Sequence, residues 1–137
     1  MAKRRDVLKM VPFALLAQAG GAANAPLANT VVDARSARFS REAFGDLRIY
    51  FEGPTGQVKS MTAGSLLLKP GMQPHPPHQH PEEEFMVITE GTGQIMVDGK
   101  TTKVGPGSMM YCAGGKTHGI VNTGSSPLLF YFYKWQA

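Results

Sequence analysis

The stretch "GMQPHPPHQHPEEEFMVITEG", residues 71–91, holds three of the chain's four histidines, at 75, 78 and 80, followed by glutamates at 82, 83 and 84. An apolar run from Phe85 to Ile88 follows, and Gly91 closes the segment. Such a cluster is either half of a metal site or a polar, proline-rich surface loop. On a strand, His78 and His80 would both point to one face, and Glu84 keeps their parity. Three metal-ligating side chains could therefore converge from one strand. Glu82 shares that parity and lies nearer, but Pro81 makes parity unreliable there.

A second stretch, "GSMMYCAGGKTHGIVN", residues 107–122, supplies the remaining histidine, His118, after a tight Gly114-Gly115 turn. Imidazole and carboxylate together suit divalent first-row metals. A lone His-x-His pattern arises by chance in Pro/His-rich loops; two half-patterns in register are far more specific.

With both stretches in view, the sequence resembles the cupin family. Its first motif runs glycine, His-x-His, three residues, Glu, six residues, Gly. His78, His80, Glu84 and Gly91 keep that spacing, while the upstream Gly71 lies one residue farther away than usual. Its second motif places Gly107, Gly115, His118 and Asn122 in register, with Ala113 where the family has proline. That loss should loosen one turn without touching a ligand. The resemblance covers roughly residues 45–135. It implies an all-β fold, a single antiparallel double-stranded β-helix or jelly-roll barrel. It also implies one divalent metal ion held by His78, His80, Glu84 and His118.

The rest of the chain agrees with many short strands. Sixteen glycines and ten prolines punctuate it, and no stretch keeps a helical period beyond about two turns. Apolar or alternating runs predict strands at 47–52, 58–68, 84–89, 94–97, 101–104, 109–112, 118–121 and 128–135. Asp98-Gly99 is a two-residue hairpin signal. Met86 and Ile88 share the parity of Glu84 and should line the interior. Asn122 should close a turn by hydrogen bonding, Cys112 should be a small buried hydrophobe, and His75 should sit in the loop at the barrel mouth.

At 137 residues the chain is long enough for one domain of ordinary size. Its single cysteine permits no internal disulfide. The net charge of +4 comes mostly from Lys3, Arg4, Arg5 and Lys9; without the first nine residues, ten basic side chains face nine acidic ones. A body so nearly neutral has no electrostatic case for nucleic acid.

The opening "MAKRRDVLKMVPFALLAQAGGAANAPLA" has a basic start, an apolar centre and a small-residue tail, the layout of an export signal. Arg4-Arg5 followed by Asp6, Val7, Leu8 and Lys9 resembles a twin-arginine signal, with Lys3 where Ser or Thr is usual. Cleavage could follow Ala23 or Ala25. We expect an export signal at residues 1–28, an N-terminal arm at 29–44 and the barrel at 45–137, with no stable membrane anchor after cleavage and a periplasmic or secreted product. The last strand, "LLFYFYKW", carries aromatics on both faces, which implies core on one side and a homodimer contact on the other.

Cupins include dioxygenases, isomerases, lyases, decarboxylases, storage proteins and sugar- or effector-binding modules, so the fold does not fix the reaction. With the export signal, the first reading is an exported metal-dependent enzyme acting on a small molecule, dioxygenase-like or isomerase/lyase-like. The alternatives are a non-catalytic, metal-stabilised protein binding a sugar or small acid, and a periplasmic metal carrier. No separate catalytic base is evident; Glu84 itself, Glu83 and His75 are the nearby candidates. Affinity at nitrogen/oxygen sites rises towards copper, with zinc also strong. Export in the folded state would fill the site in the cytoplasm, so iron or manganese is favoured, with zinc, nickel and copper as the other options.

Overall fold

The structure is a computed structural model that describes residues 25–137. The export signal therefore lies almost wholly outside the described residues. Among those described there is no helix.

Nine strands follow one another: β1 (Arg38–Glu42), β2 (Gly45–Gly53), β3 (Ser60–Leu68), β4 (Glu83–Glu90), β5 (Gly93–Val97), β6 (Lys100–Val104), β7 (Met109–Cys112), β8 (His118–Val121) and β9 (Leu128–Gln136). All pair antiparallel. They form a six-stranded sheet in the order β1-β2-β3-β9-β4-β7 and a three-stranded sheet in the order β6-β5-β8. This is the expected all-β cupin barrel architecture, and each anticipated strand is present to within a residue or two. The arm at 29–44 contains a turn at 34–36 and then β1, which extends the larger sheet.

Local chemistry explains the tightest connection. Asp98 and Gly99 join β5 to β6, both with positive φ, at 49° and 84°. A two-residue turn of that kind matches the twist of the strands it joins.

Alternation then divides the side chains. Leu66 and Leu68 of β3, Met86 and Ile88 of β4, Met110 and Cys112 of β7, and Leu128 and Phe130 of β9 face inward. Ile95 and Ile120 of the smaller sheet meet them. Cys112 is a buried free thiol within this cluster, as its composition implied. The opposite parity of β4, β7 and β9 exposes Phe85, Tyr111 and Tyr133 on the outer face.

Candidate metal centre

The four histidines meet at one end of the barrel. His118 opens β8, whereas His78 and His80 precede β4 and stand on an irregular loop. Here the structure differs from the expectation of one continuous ligand-bearing strand. Prolines at 74, 76, 77 and 81 withhold backbone donors and prevent a regular ladder. A single bridge replaces it: His78 N–H donates to His118 O and His118 N–H donates to His78 O, each at 2.9 Å. That reciprocal pair sets the two imidazoles side by side. Farther along, Gly115 N–H donates to His80 O at 2.7 Å. Gly114 makes that approach possible, since a Cβ there would lie 2.3 Å from Pro81 O. The Gly114-Gly115 turn thus holds the His80 loop against the barrel.

Coordinating nitrogens of His78, His80 and His118 lie within 4.8 Å of one another. Glu84 Oε1, from the start of β4, is 3.0 Å from His80 Nε2 and 3.4 Å from His118 Nε2. The three histidines therefore cluster, and Glu84 lies beside two of them. His80 Nδ1 faces Glu82 O and Glu82 Oε2, both at 3.1 Å, and His118 Nδ1 faces Lys116 O at 3.1 Å. A ring N–H pointed at each of these acceptors leaves Nε2 with its lone pair directed into the site. Such outer partners are what fix a ligating imidazole's tautomer and orientation.

The residues fit a metal ion. His118 is buried, and its Nε2 makes no well-formed hydrogen bond, with Glu84 Oε1 3.4 Å away as its one close polar neighbour among the described residues. An orphaned buried ring nitrogen is costly unless a ligand satisfies it. Electrostatics agree. The Glu84 carboxylate, through close polar contact, raises the His118 pKa above 6.5 against the opposing effect of burial. Burial pushes Glu84 upward, but the His118 and His80 rings beside it prevail and its pKa lies below 4.5. His78 has solvent on one side, yet its ring stacks on His75 with centroids 3.7 Å apart and lies about 5 Å from the other two rings. Lost hydration, then the charges of His75, His118 and His80, pull its pKa down to about 4. A neutral imidazole is the ligating form.

His75 lies at the rim, as expected, with its Nδ1 2.9 Å from Pro76 O. Asn122 is fully buried and bonds three backbone groups, which fits its expected turn-closing role. Glu83 is removed from the set of candidate bases. Its parity is opposite to that of Glu84, and it accepts a 2.6 Å hydrogen bond from Tyr111 on the outer face.

Beside the histidines lies a cavity of about 190 Å³. Phe44, Leu47, Leu66, Met86, Phe130 and Phe132 form its walls, Pro74 and His75 belong to its rim, and Lys134 adds a cation. Of these, Met86 was expected to line the interior. Lys134 was missed, although its parity with Phe130 and Phe132 on β9 was the signal that it faces inward.

Fold and site together define a small antiparallel β-barrel with three clustered imidazoles suited to a metal ion. The cupin domain model matches residues 55–133, more than half the chain, and the chain belongs to the cupin family. No curated protein is detectably similar in sequence. Among solved structures, an RmlC-like cupin from Shewanella frigidimarina is 13% identical, with 80% of this chain and 93% of that one covered and a TM-score of 0.64. A predicted oxalate decarboxylase from Thermotoga maritima is 21% identical, covering 79% and 100%, with a TM-score of 0.61. The polyketide cyclase RemF from Streptomyces resistomycificus is 20% identical, covering 79% and 80%, with a TM-score of 0.63. Identities this low speak to the fold alone.

Proposed function

We propose that this cupin binds one divalent metal ion through His78, His80, Glu84 and His118 and acts as an enzyme on a small molecule. The clustering of three imidazoles, with the Glu84 carboxylate beside the buried His118 Nε2 that makes no well-formed hydrogen bond, carries this reading. The barrels of a predicted oxalate decarboxylase and a polyketide cyclase lend it support, since both of those proteins are described as enzymes. A bound ion would supply Lewis acidity, or redox chemistry if it is iron or manganese, the two we favour.

The chain's own residues do the rest. Lys116 O and the Glu82 oxygens orient His118 and His80. Met86, Phe130 and Phe132 keep bulk water from the inner side of the site. Glu84 is ionised near neutral pH, and with Glu83 turned outward it and His75 remain the groups that could move a proton.

The test is metal analysis of the purified full chain beside its variants. His80→Ala and His118→Ala should each lose at least about tenfold in metal affinity while staying folded, because an incomplete shell remains. His75→Ala should keep its metal. Unchanged metal content in both of the first two variants would overturn the ligand assignment. Oxygen-uptake screening of the loaded protein then separates a dioxygenase-like enzyme from an isomerase/lyase-like one.

Export and assembly belong to the same proposal. The twin-arginine-like pattern at Arg4-Arg5 supports a periplasmic or secreted location, reached in the folded and metal-loaded state. The outer face of β4, β7 and β9 supports a homodimer. It exposes Met109 and Tyr111, and Phe85 stacks there on Trp135 with centroids 5.6 Å apart. Exposed apolar surface in such a contiguous patch marks a contact site.

A further inference from the structure

Resting on the metal-site reading, we propose that the cavity beside the histidines takes a small carboxylic acid with a plain hydrocarbon or aromatic body, its carboxylate held by Lys134. The walls give the first reason. Phe44, Leu47, Leu66, Met86, Phe130 and Phe132 offer no side-chain hydrogen-bonding group beyond the weak thioether acceptor. The polar lining, His75, His78, His80, Glu84 and Lys134, can meet one end of a ligand, but hydroxyls of a sugar turned towards the six apolar walls would stay unsatisfied, each costing about 1–3 kcal/mol. A hydrocarbon or aromatic body incurs no such cost and gains from burial.

Lys134 gives the second reason. It sits on β9 directly opposite Glu84 of β4, on the inward parity, partly buried and lining the cavity. Glu84 is engaged by His80 and His118, and Lys134 makes no ion pair among the described residues. A cation lining a largely apolar cavity, whose neighbouring carboxylate is engaged by the histidines, is matched by one anionic group on the ligand.

Size is the third reason. A cavity of about 190 Å³ falls below the roughly 300–1,000 Å³ of pockets for drug-sized ligands, so the ligand is small. Gly64 helps to keep that space clear. A Cβ there would lie 2.6 Å from Phe132 Cζ, so its absence lets the ring lie back against β3.

The experiment is calorimetric titration of the manganese-loaded full chain with benzoate, its neutral isostere benzamide, and glucose, with metal content measured on every sample. Benzoate should bind at least about tenfold more tightly than benzamide, the gain of one charge-assisted contact. Glucose should not bind detectably. Lys134→Met should bring benzoate down to the benzamide level without loss of metal, and Lys134→Arg should restore the preference. Equal binding of benzoate and benzamide, or glucose binding as tightly as benzoate, overturns the proposal on the native protein alone, whether or not a variant folds. So does a benzoate preference that survives in Lys134→Met, since the anion is then held elsewhere. If the chain takes up no manganese yet keeps a Lys134-dependent preference for benzoate, the metal reading fails and this inference stands.

Discussion

Replacing Asn122 with alanine should destabilise the barrel severely while sparing the metal ligands themselves. Its Nδ2 donates to Leu68 O and to Ser126 O, both at 2.9 Å, and its Oδ1 accepts from Gly124 N–H at 2.9 Å. One side chain therefore ties the end of β3 to the turn that leads into β9. All three bonds vanish in the variant. At a net of about 1 kcal/mol each, with a further 1–3 kcal/mol for polar groups stranded out of water, the loss is at least about 4 kcal/mol. That is a large share of the 5–15 kcal/mol typical of a domain. With a urea dependence of about 2 kcal/mol per molar, the midpoint should fall by about 2 M. The backbone bonds Asn122 N–H to Met72 O and Gly71 N–H to Asn122 O remain, so the histidine loop stays anchored. Metal affinity should consequently drop less than in His118→Ala. Asn122→Asp keeps the acceptor for Gly124 but loses both donors and should unfold almost as readily. A midpoint shift below about 0.5 M, or an Asp variant as stable as the native protein, would refute this account of the side chain.

Acid should weaken the metal-free protein through His78. Its folded pKa, about 4, lies below the ordinary 6.5, so its contribution is fully present above pH 6.5 and is lost as pH falls towards 4. Discounted for the solvent on its open side, the loss is about 1 kcal/mol, and thermal melts of metal-free His78→Gln should lack it; a parallel pH profile in that variant contradicts the assignment. His118 acts in the opposite sense, since its raised pKa gives stability below pH 6.5 that disappears as pH rises. For assembly, light scattering at micromolar concentration should report a dimer, and Tyr133→Arg should shift it towards monomer; a native monomer sinks that proposal. For export, lysines at both positions 4 and 5 should leave metal-loaded protein in the cytoplasm, and normal export of that variant, or a native protein carrying only zinc, counts against twin-arginine loading.

The sequence alone settled the barrel, because turn-forming pairs such as Asp98-Gly99 and the two-residue alternation of Met86, Ile88 and Glu84 are local properties of the chain. It also named the four candidate ligands, since two motifs in register are legible as spacing. Other features depended on the partner across the sheet. Parity pointed Glu84 inward, but only the tertiary structure showed Glu83 tied to Tyr111, because that hydrogen bond joins residues twenty-eight positions apart. The irregular His78–His80 loop was likewise hidden, since its shape comes from one bridge to His118 and from Pro81 passing over Gly114. Register slips at Ile49/Phe51 and Ile88/Glu90 leave no mark in a linear pattern, for the same reason. Lys134 belongs to both worlds. Alternation along β9 turned it inward, but only the closing of the barrel set it opposite Glu84 and brought its charge to a cavity walled mostly by apolar side chains.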